Sequence, residues 1–237
     1  MLLLLLVLAG DVEKLLDIKA PMEEREAAVK SLAKTSDGAR SILKLVDAGA
    51  FPAELKATAA FSLAANKDVA KEAAEKLPLP KAKGGVTLPP LAELSAMKGD
   101  PVAGGKVFRR PEGPNCVGCH QLNEEGKLVG PPLSTIGNKL GRDQMFESIL
   151  TPSAAVLMSY ENWVVRTKSG DVKTGIKVED TDDHVTLKDN QGEYIDIPAD
   201  KIADKKQMTL SMMPENITES MSVQDLVDLV AFLQTLR

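Results

Sequence analysis

Two cysteines and a histidine stand within five residues, in the stretch Cys116-Val117-Gly118-Cys119-His120. These are the only cysteines of the 237-residue chain, which has one other histidine, His184. Cys-x-x-Cys-His is the spacing by which a polypeptide takes up a c-type haem. Residues three apart share one face of a helical turn, so both thiols can reach the two vinyl groups of one porphyrin. The next residue, His120, is then placed to ligate the iron. Gly118 removes a side chain where the ring would lie close. Two other chemistries use these residue types. A redox-active Cys-x-x-Cys belongs near a βαβ pattern, and none is legible. A zinc site wants four ligands, whereas only three candidates cluster and His184 is far away in sequence.

The rest of the chain must position that turn. Its length allows one large or two small domains. Aromatic residues make up only 3% and Ala and Leu carry the apolar content, which favours helices over a β-sandwich. The net charge of −5 argues against nucleic acid as a partner. The apolar run Leu2 to Ala9 is far shorter than the roughly 20 residues of a membrane span, so no stable span is expected. It reads either as the core of a secretory signal, with a cleavage site near Val7-Leu8-Ala9, or as the first helix of a folded domain.

Short amphipathic helices fill the chain from Asp11 to Leu77. One follows Pro21 with Glu23 and Glu24 in its first turn. Another ends at Gly49, a third follows Pro52, and a fourth spans about 68–76. The pattern Ser31-Leu32-Ala33 with Asp37, Ala39 and Arg40 recurs as Ser62-Leu63-Ala64 with Asp68, Ala70 and Lys71. That offset lies near the period of paired-helix solenoids, so 1–77 reads as a HEAT-like helical region, with a plain helical bundle as the alternative. Pro78, Pro80, Gly84, Gly85, Pro89 and Pro90 make 78–90 a semi-rigid linker, and 91–237 a second domain.

Asp100 and Pro101 open a helix as N-cap and first residue. It runs through Gly105-Lys106-Val107-Phe108. At the other end Ser222 caps a helix with Leu226, Leu229, Val230 and Leu233 on one face. Between them, after a short helix ending at Thr151-Pro152, the periodicity changes to two. Trp163, Val165 and Thr167 alternate with Val164, Arg166 and Lys168. Turns at 168–171, 181–183 and 189–192 separate further strands at about 171–178, 184–188 and 193–197. Trp163 and Tyr194 read as the small core of this sheet, and His184 as a solvated turn residue.

Four pieces together resemble the class I cytochromes c: the glycine-bearing first helix with Gly105 and Phe108, the final helix with Phe232, the attachment turn, and Gly130-Pro131-Pro132-Leu133. The resemblance implies that the Pro131 carbonyl accepts the His120 Nδ1 proton and that Leu133 covers the ring edge; an imidazole ligand needs its second N–H held to fix its orientation. It also implies an axial methionine on a loop ahead of the last helix, here Leu210-Ser211-Met212-Met213-Pro214. Pro214 biases the residue before it toward extended backbone. Adjacent residues there point opposite ways, which favours Met213 over Met212; the alternative is that both fill gaps and His184 or a lysine completes the site. Ile149-Leu150-Thr151-Pro152-Ser153, Tyr160 and the inserted strands narrow the resemblance to the planctomycete-type haem-binding domains. Those domains follow helical repeats at the C-terminus of large secreted dehydrogenase-like proteins, whose catalytic propeller this chain lacks.

The expected fold is therefore mainly α: a HEAT-like N-terminal part plus a class I cytochrome c domain, with a small antiparallel sheet inserted at about 160–200. One haem c is expected on Cys116 and Cys119, with His120 and Met213 as axial ligands. The expected role is periplasmic or otherwise extracytoplasmic electron transfer between a dehydrogenase and a downstream acceptor, without catalysis by this chain. Residues 93–237 carry 16 basic and 22 acidic side chains, so a redox partner should present a basic docking patch. The alternatives are a haem enzyme or gas sensor with a labile sixth ligand, a scaffold that carries haem as a passenger, and a subunit or fragment of a larger dehydrogenase.

Overall fold

A computed structural model describes residues 2–237, with side chains described from Leu8 onward. Met1 and the side chains of residues 2–7, part of the candidate signal segment, lie outside the described residues. Two units are evident, Met1–Ala96 and Met97–Arg237.

In the first unit α1 spans Leu2–Leu16, α2 Met22–Ala33, α3 Ser36–Asp47, α4 Lys56–Ala64, α5 Ala70–Lys76 and α6 Leu91–Ala96. The apolar face of α1 continues past the expected cleavage site: Leu8 and Val12 pack on the core, and Leu15 is fully buried. Leu32 of α2 and Leu63 of α4, equivalent in the 31-residue repeat, are both fully buried. Side chains of the two copies also meet directly. Thr58 hydrogen-bonds Glu26, Ser36 hydrogen-bonds Asp68, and Asn66 Nδ2 donates to Ala33 O at 2.8 Å. Buried Arg25 is matched by charge and carbonyl, with Nη1 2.9 Å from Glu54 and Nε donating to Leu15 O at 3.0 Å. Residues 78–90 close on themselves. Ala82 N donates to Val86 O and Leu88 N to Pro80 O, and Ala82 and Leu88 are buried.

In the second unit α7 is Pro101–Arg109, α8 Arg142–Leu150 and α9 Val223–Thr235. Asp100 Oδ1 caps α7 by accepting from Val102 N, and Ser222 caps α9 by accepting from Asp225 N. The crossing of α7 on α9 depends on a glycine beside the one expected. A Cβ on Gly104 would stand 1.9 Å from Asp228 O, closer than any substitution tolerates, whereas Gly105 faces the Phe232 ring at 3.3 Å. The Phe108 and Phe232 rings pack with centroids 5.7 Å apart. Phe108, Phe146, Met145, Leu226, Val227 and Val230 are buried in this unit.

The strands form one antiparallel sheet in the order β4-β3-β2-β1-β5, with β1 Asn162–Thr167, β2 Val172–Asp180, β3 His184–Lys188, β4 Tyr194–Pro198 and β5 Ile202–Gln207. Val165, Val185, Leu187 and Ile197 make its core, with Trp163, Ile195 and Ile202 against them. Lys177 Nζ sits 3.7 Å from the Trp163 ring centroid. Tyr194 is 63% exposed on the edge strand and is no part of that core. His184 is half-buried, 3.5 Å from Glu179.

The expectation of a mainly α fold with a small inserted sheet is corrected. Nine α-helices among the described residues, 46% helix and a five-stranded antiparallel sheet make the fold mixed α/β. The strand missed in the sequence is β5, Ile-Ala-Asp-Lys-Lys-Gln. It has no alternating apolar pattern because it lies at a sheet edge, where charge is tolerated and discourages further pairing. Its strand character comes from pairing with β1, from Trp163↔Gln207 to Arg166↔Asp204. Among the described residues no helix is long and apolar enough to cross a membrane.

Candidate functional site

The cysteine-histidine turn begins at Asn115, which holds left-handed backbone at φ 47°, a conformation asparagine tolerates better than most residues. Cys116–Gly118 then coil tightly, with Cys119 N donating to Cys116 O at 3.1 Å and His120 N to the same carbonyl at 2.8 Å. One turn of helix-like backbone thus carries both cysteines, and both thiols are free. A Cβ on Gly118 would lie 2.6 Å from Asn115 Nδ2, at the end of a side chain that can swing aside.

A returning limb, residues 126–133, is laced to this turn. Lys127 N donates to Val117 O, Val129 N and Gly130 N both donate to Cys119 O at 3.0 and 2.8 Å, and Leu133 N donates to Gln121 O at 2.9 Å. Two glycines are required. Gly126 has φ 94° and a Cβ there would come within 2.4 Å of His120 O; at Gly130 a Cβ would lie 2.6 Å from His120 Cε1. The imidazole therefore lies directly on the Gly130 backbone. His120 Nδ1 is 2.7 Å from Pro131 O. A carbonyl can only accept, so Nδ1 carries the proton and Nε2 keeps its lone pair for a ligand. Leu133 is half-buried.

Electrostatics keep the three groups neutral. Burial pushes the Cys116 thiol up to about 12. Cys119 is also raised by burial, against the lowering effect of the Lys127 charge. Burial lowers His120 below the ordinary histidine value, with the Pro131 carbonyl opposing. Reactive redox cysteines are the low-pKa, thiolate kind, so these thiols do not resemble a thioredoxin-type pair. Among the described residues no group of three or more His, Cys, Asp or Glu side chains is arranged to hold a metal ion.

Arg109 ties the turn to the helix crossing. Its Nε donates to both Glu125 oxygens at 2.8 and 2.9 Å and its Nη1 to Gly105 O at 2.8 Å, while the guanidinium stands 5.6 Å from the Phe232 ring centroid.

Met212 and Met213 stand on a separate loop, both half-buried, so exposure does not choose between them. The loop hangs from Ser153, just beyond α8. Ser153 Oγ accepts from Ser211 N at 2.9 Å and donates to the Glu215 carboxylate, and Met213 N donates to Ser211 Oγ at 3.1 Å. The structure thus brings Cys116, Cys119, His120, Pro131 and Leu133 together, and Met213 to an independently anchored loop. Sequence reasoning missed Gly126, Arg109, Glu125 and the roles of Ser153 and Glu215. Only the first has a local signal, a glycine six residues after the histidine.

Residues 102–186 match the family model described as Cytochrome c. The matched segment begins in α7, includes the attachment turn and α8, and ends within β3, before the methionine loop. No curated protein matches the chain. The second unit therefore carries a cytochrome c-like domain, whose general role is haem-based electron transfer.

Proposed function

We propose that this protein is an electron carrier with one c-type haem, attached through Cys116 and Cys119 and held axially by His120 and Met213. The residues fit that group. Two neutral, unpaired thiols lie on one turn; the Gly130 gap accepts the imidazole face; and the Pro131 carbonyl at 2.7 Å holds Nδ1 so that Nε2 is the ligating atom. This last contact carries the proposal, since it is the carbonyl partner that a ligating histidine needs to fix its tautomer and raise its basicity. The haem supplies a one-electron centre when bound. Met213 rather than Met212 is favoured by Pro214, which biases the residue before it away from helical backbone, and by the Ser211 hydroxyl on its amide. Two protein ligands leave no position for a substrate, so the chain itself carries no catalytic residue. Methionine ligation raises the potential, which suits uptake of electrons from an extracytoplasmic dehydrogenase and delivery to an acceptor. The acidic second segment suits a partner with a basic patch. The helices of the first unit fit a pair of HEAT-like repeats ahead of a planctomycete-type haem-binding domain.

The test is the oxidised visible spectrum of protein produced in a host that matures c-type cytochromes. A haem retained after denaturation, low-spin bands and a sulfur-to-iron charge-transfer feature are expected. Haem that extracts freely would sink the attachment. A high-spin spectrum with fast carbon monoxide uptake would replace the carrier by an enzyme or sensor.

A further inference from the structure

The five-stranded sheet is seated on the histidine loop. Lys127 Nζ donates to Gln191 O in the β3–β4 turn at 2.6 Å, and Lys188 Nζ, at the end of β3, donates to Leu128 O. A Cβ on Gly192 would stand 3.5 Å from Val129 Cγ2, and Val129 is 1% exposed. The two lysines cross in opposite directions, one reaching from loop to turn and one from sheet to loop. The turn that receives Lys127 is rigid. Asp189 Oδ1 accepts from Gln191 N at 2.8 Å and from Glu193 N at 2.9 Å, and Asp189 N donates to Glu193 O.

The segment gripped this way is the one that orients the imidazole. Val129 and Gly130 amides hold Cys119 O, and Pro131 O holds His120 Nδ1. The same sheet also starts the methionine loop, because β5 runs straight into it and Met208 N donates to Asn162 O of β1 at 2.8 Å.

We propose that the β3–β4 turn, with Lys127 and Lys188, is a brace that immobilises residues 127–131 and so sets the orientation of His120; both lysines are positioning residues. This rests on His120 as the iron ligand. The inserted sheet is then part of how the haem site is tuned, and not a replaceable surface loop.

The test uses the mature full-length protein and hydrogen exchange read by NMR at three protons: His120 Nδ1–H, Val129 N–H and Gly130 N–H. In Lys127→Met/Lys188→Met these exchange faster by roughly two- to tenfold, the scale of one or two lost hydrogen bonds, while amides in β1 and β2 keep parent rates. Lys188→Arg, which keeps a donor for Leu128 O, retains the slow exchange that Lys188→Met loses. Parent rates at all three protons in the double variant overturn the brace. Faster exchange spread through all five strands also overturns it, because the lysines would then be holding the sheet and not the loop. If the double variant does not mature, the two single variants are read at the same protons. Failure of His120 ligation is a separate outcome, visible in the parent spectrum without any variant.

Discussion

The loop that carries His120 and the loop that carries Met213 are built in opposite ways. The first is closed by four backbone hydrogen bonds from the returning limb to the turn, with the imidazole adding a fifth from His120 Nδ1 to Pro131 O, and two of its glycines admit no Cβ. The second depends on side chains: one buried serine, Ser153, receives Ser211 N and reaches Glu215. A backbone-laced loop has a single arrangement, and losing one contact leaves the others. A loop hung on one hydroxyl opens with that hydroxyl. On the proposed ligation the difference matters, because imidazole is fixed by a directional second bond whereas a thioether, a weak ligand that gains from a stiff approach, would here depend on one serine.

The largest break in this contrast should come from Gly130→Ala. The new methyl would meet the His120 ring at 2.6 Å, with no flexible neighbour to yield, so the low-spin spectrum should be lost or the haem not taken up. A parent-like spectrum would show that the ring is free to shift. Next comes the methionine loop. Met213→Ala should abolish the sulfur-to-iron band and lower the potential, and Met212→Ala should keep the band; the reverse pattern would move the ligand by one residue.

Ser153→Ala sharpens the comparison on the weaker side. It leaves Ser211 N and the exposed Glu215 carboxylate without their shared partner, at a cost of about 0.5–1.5 kcal/mol, the net worth of an ordinary hydrogen bond. The thermal midpoint should fall, and the sulfur band should vanish at milder alkaline pH than in the parent while the haem stays attached. An unchanged pH of band loss would mean that Ser153 does not hold the ligand loop.

The histidine loop also predicts a pH window for protein made without haem. His120 is lowered by burial, so its contribution to stability is present above its ordinary value of 6.5 and is lost as pH falls toward the folded value. Cys116 is raised from 9.0 to about 12, so its contribution is complete below 9 and is lost as pH rises through 12. Stability of the haem-free second unit should therefore be highest between about 6.5 and 9, as scanned by thermal denaturation. The alkaline limb should disappear once both sulfurs are bonded to haem. Its persistence in the mature protein would assign it to other groups. The smallest effect is on association. With 22 acidic against 16 basic side chains in residues 93–237, electron transfer to a basic partner should slow as salt screens the encounter. Rates independent of ionic strength would remove the charged docking patch.

The attachment turn was legible because its chemistry is local. Cys116, Cys119 and His120 are fixed by spacing, whereas the role of Pro131 came only from the resemblance to class I cytochromes c. The two caps, Asp100 and Ser222, were equally plain, since each bonds an amide two or three residues on. The sheet was read only in part. Four strands announced themselves through alternation and turns at Gly170, Asp182 and Gly192. The charged β5 did not, because an edge strand obtains its structure from its neighbour and not from its own pattern.

What the sequence determined by itself is the chemistry that a few consecutive residues can perform: two thiols and an imidazole on one turn, and a proline-stiffened methionine. What only the tertiary structure decided is which residues hold those groups still. Gly104 proves to be where α7 admits no side chain against α9, with Asp228 O 1.9 Å from where its Cβ would be. Ser153 and Ser211 meet across 58 residues, and Lys127 and Gln191 across 64. Serine, lysine and glycine are common surface residues with no pattern that reveals a distant partner. Their roles follow from how the chain returns on itself, and that return is decided by the packing of α7, α9 and the sheet as a whole.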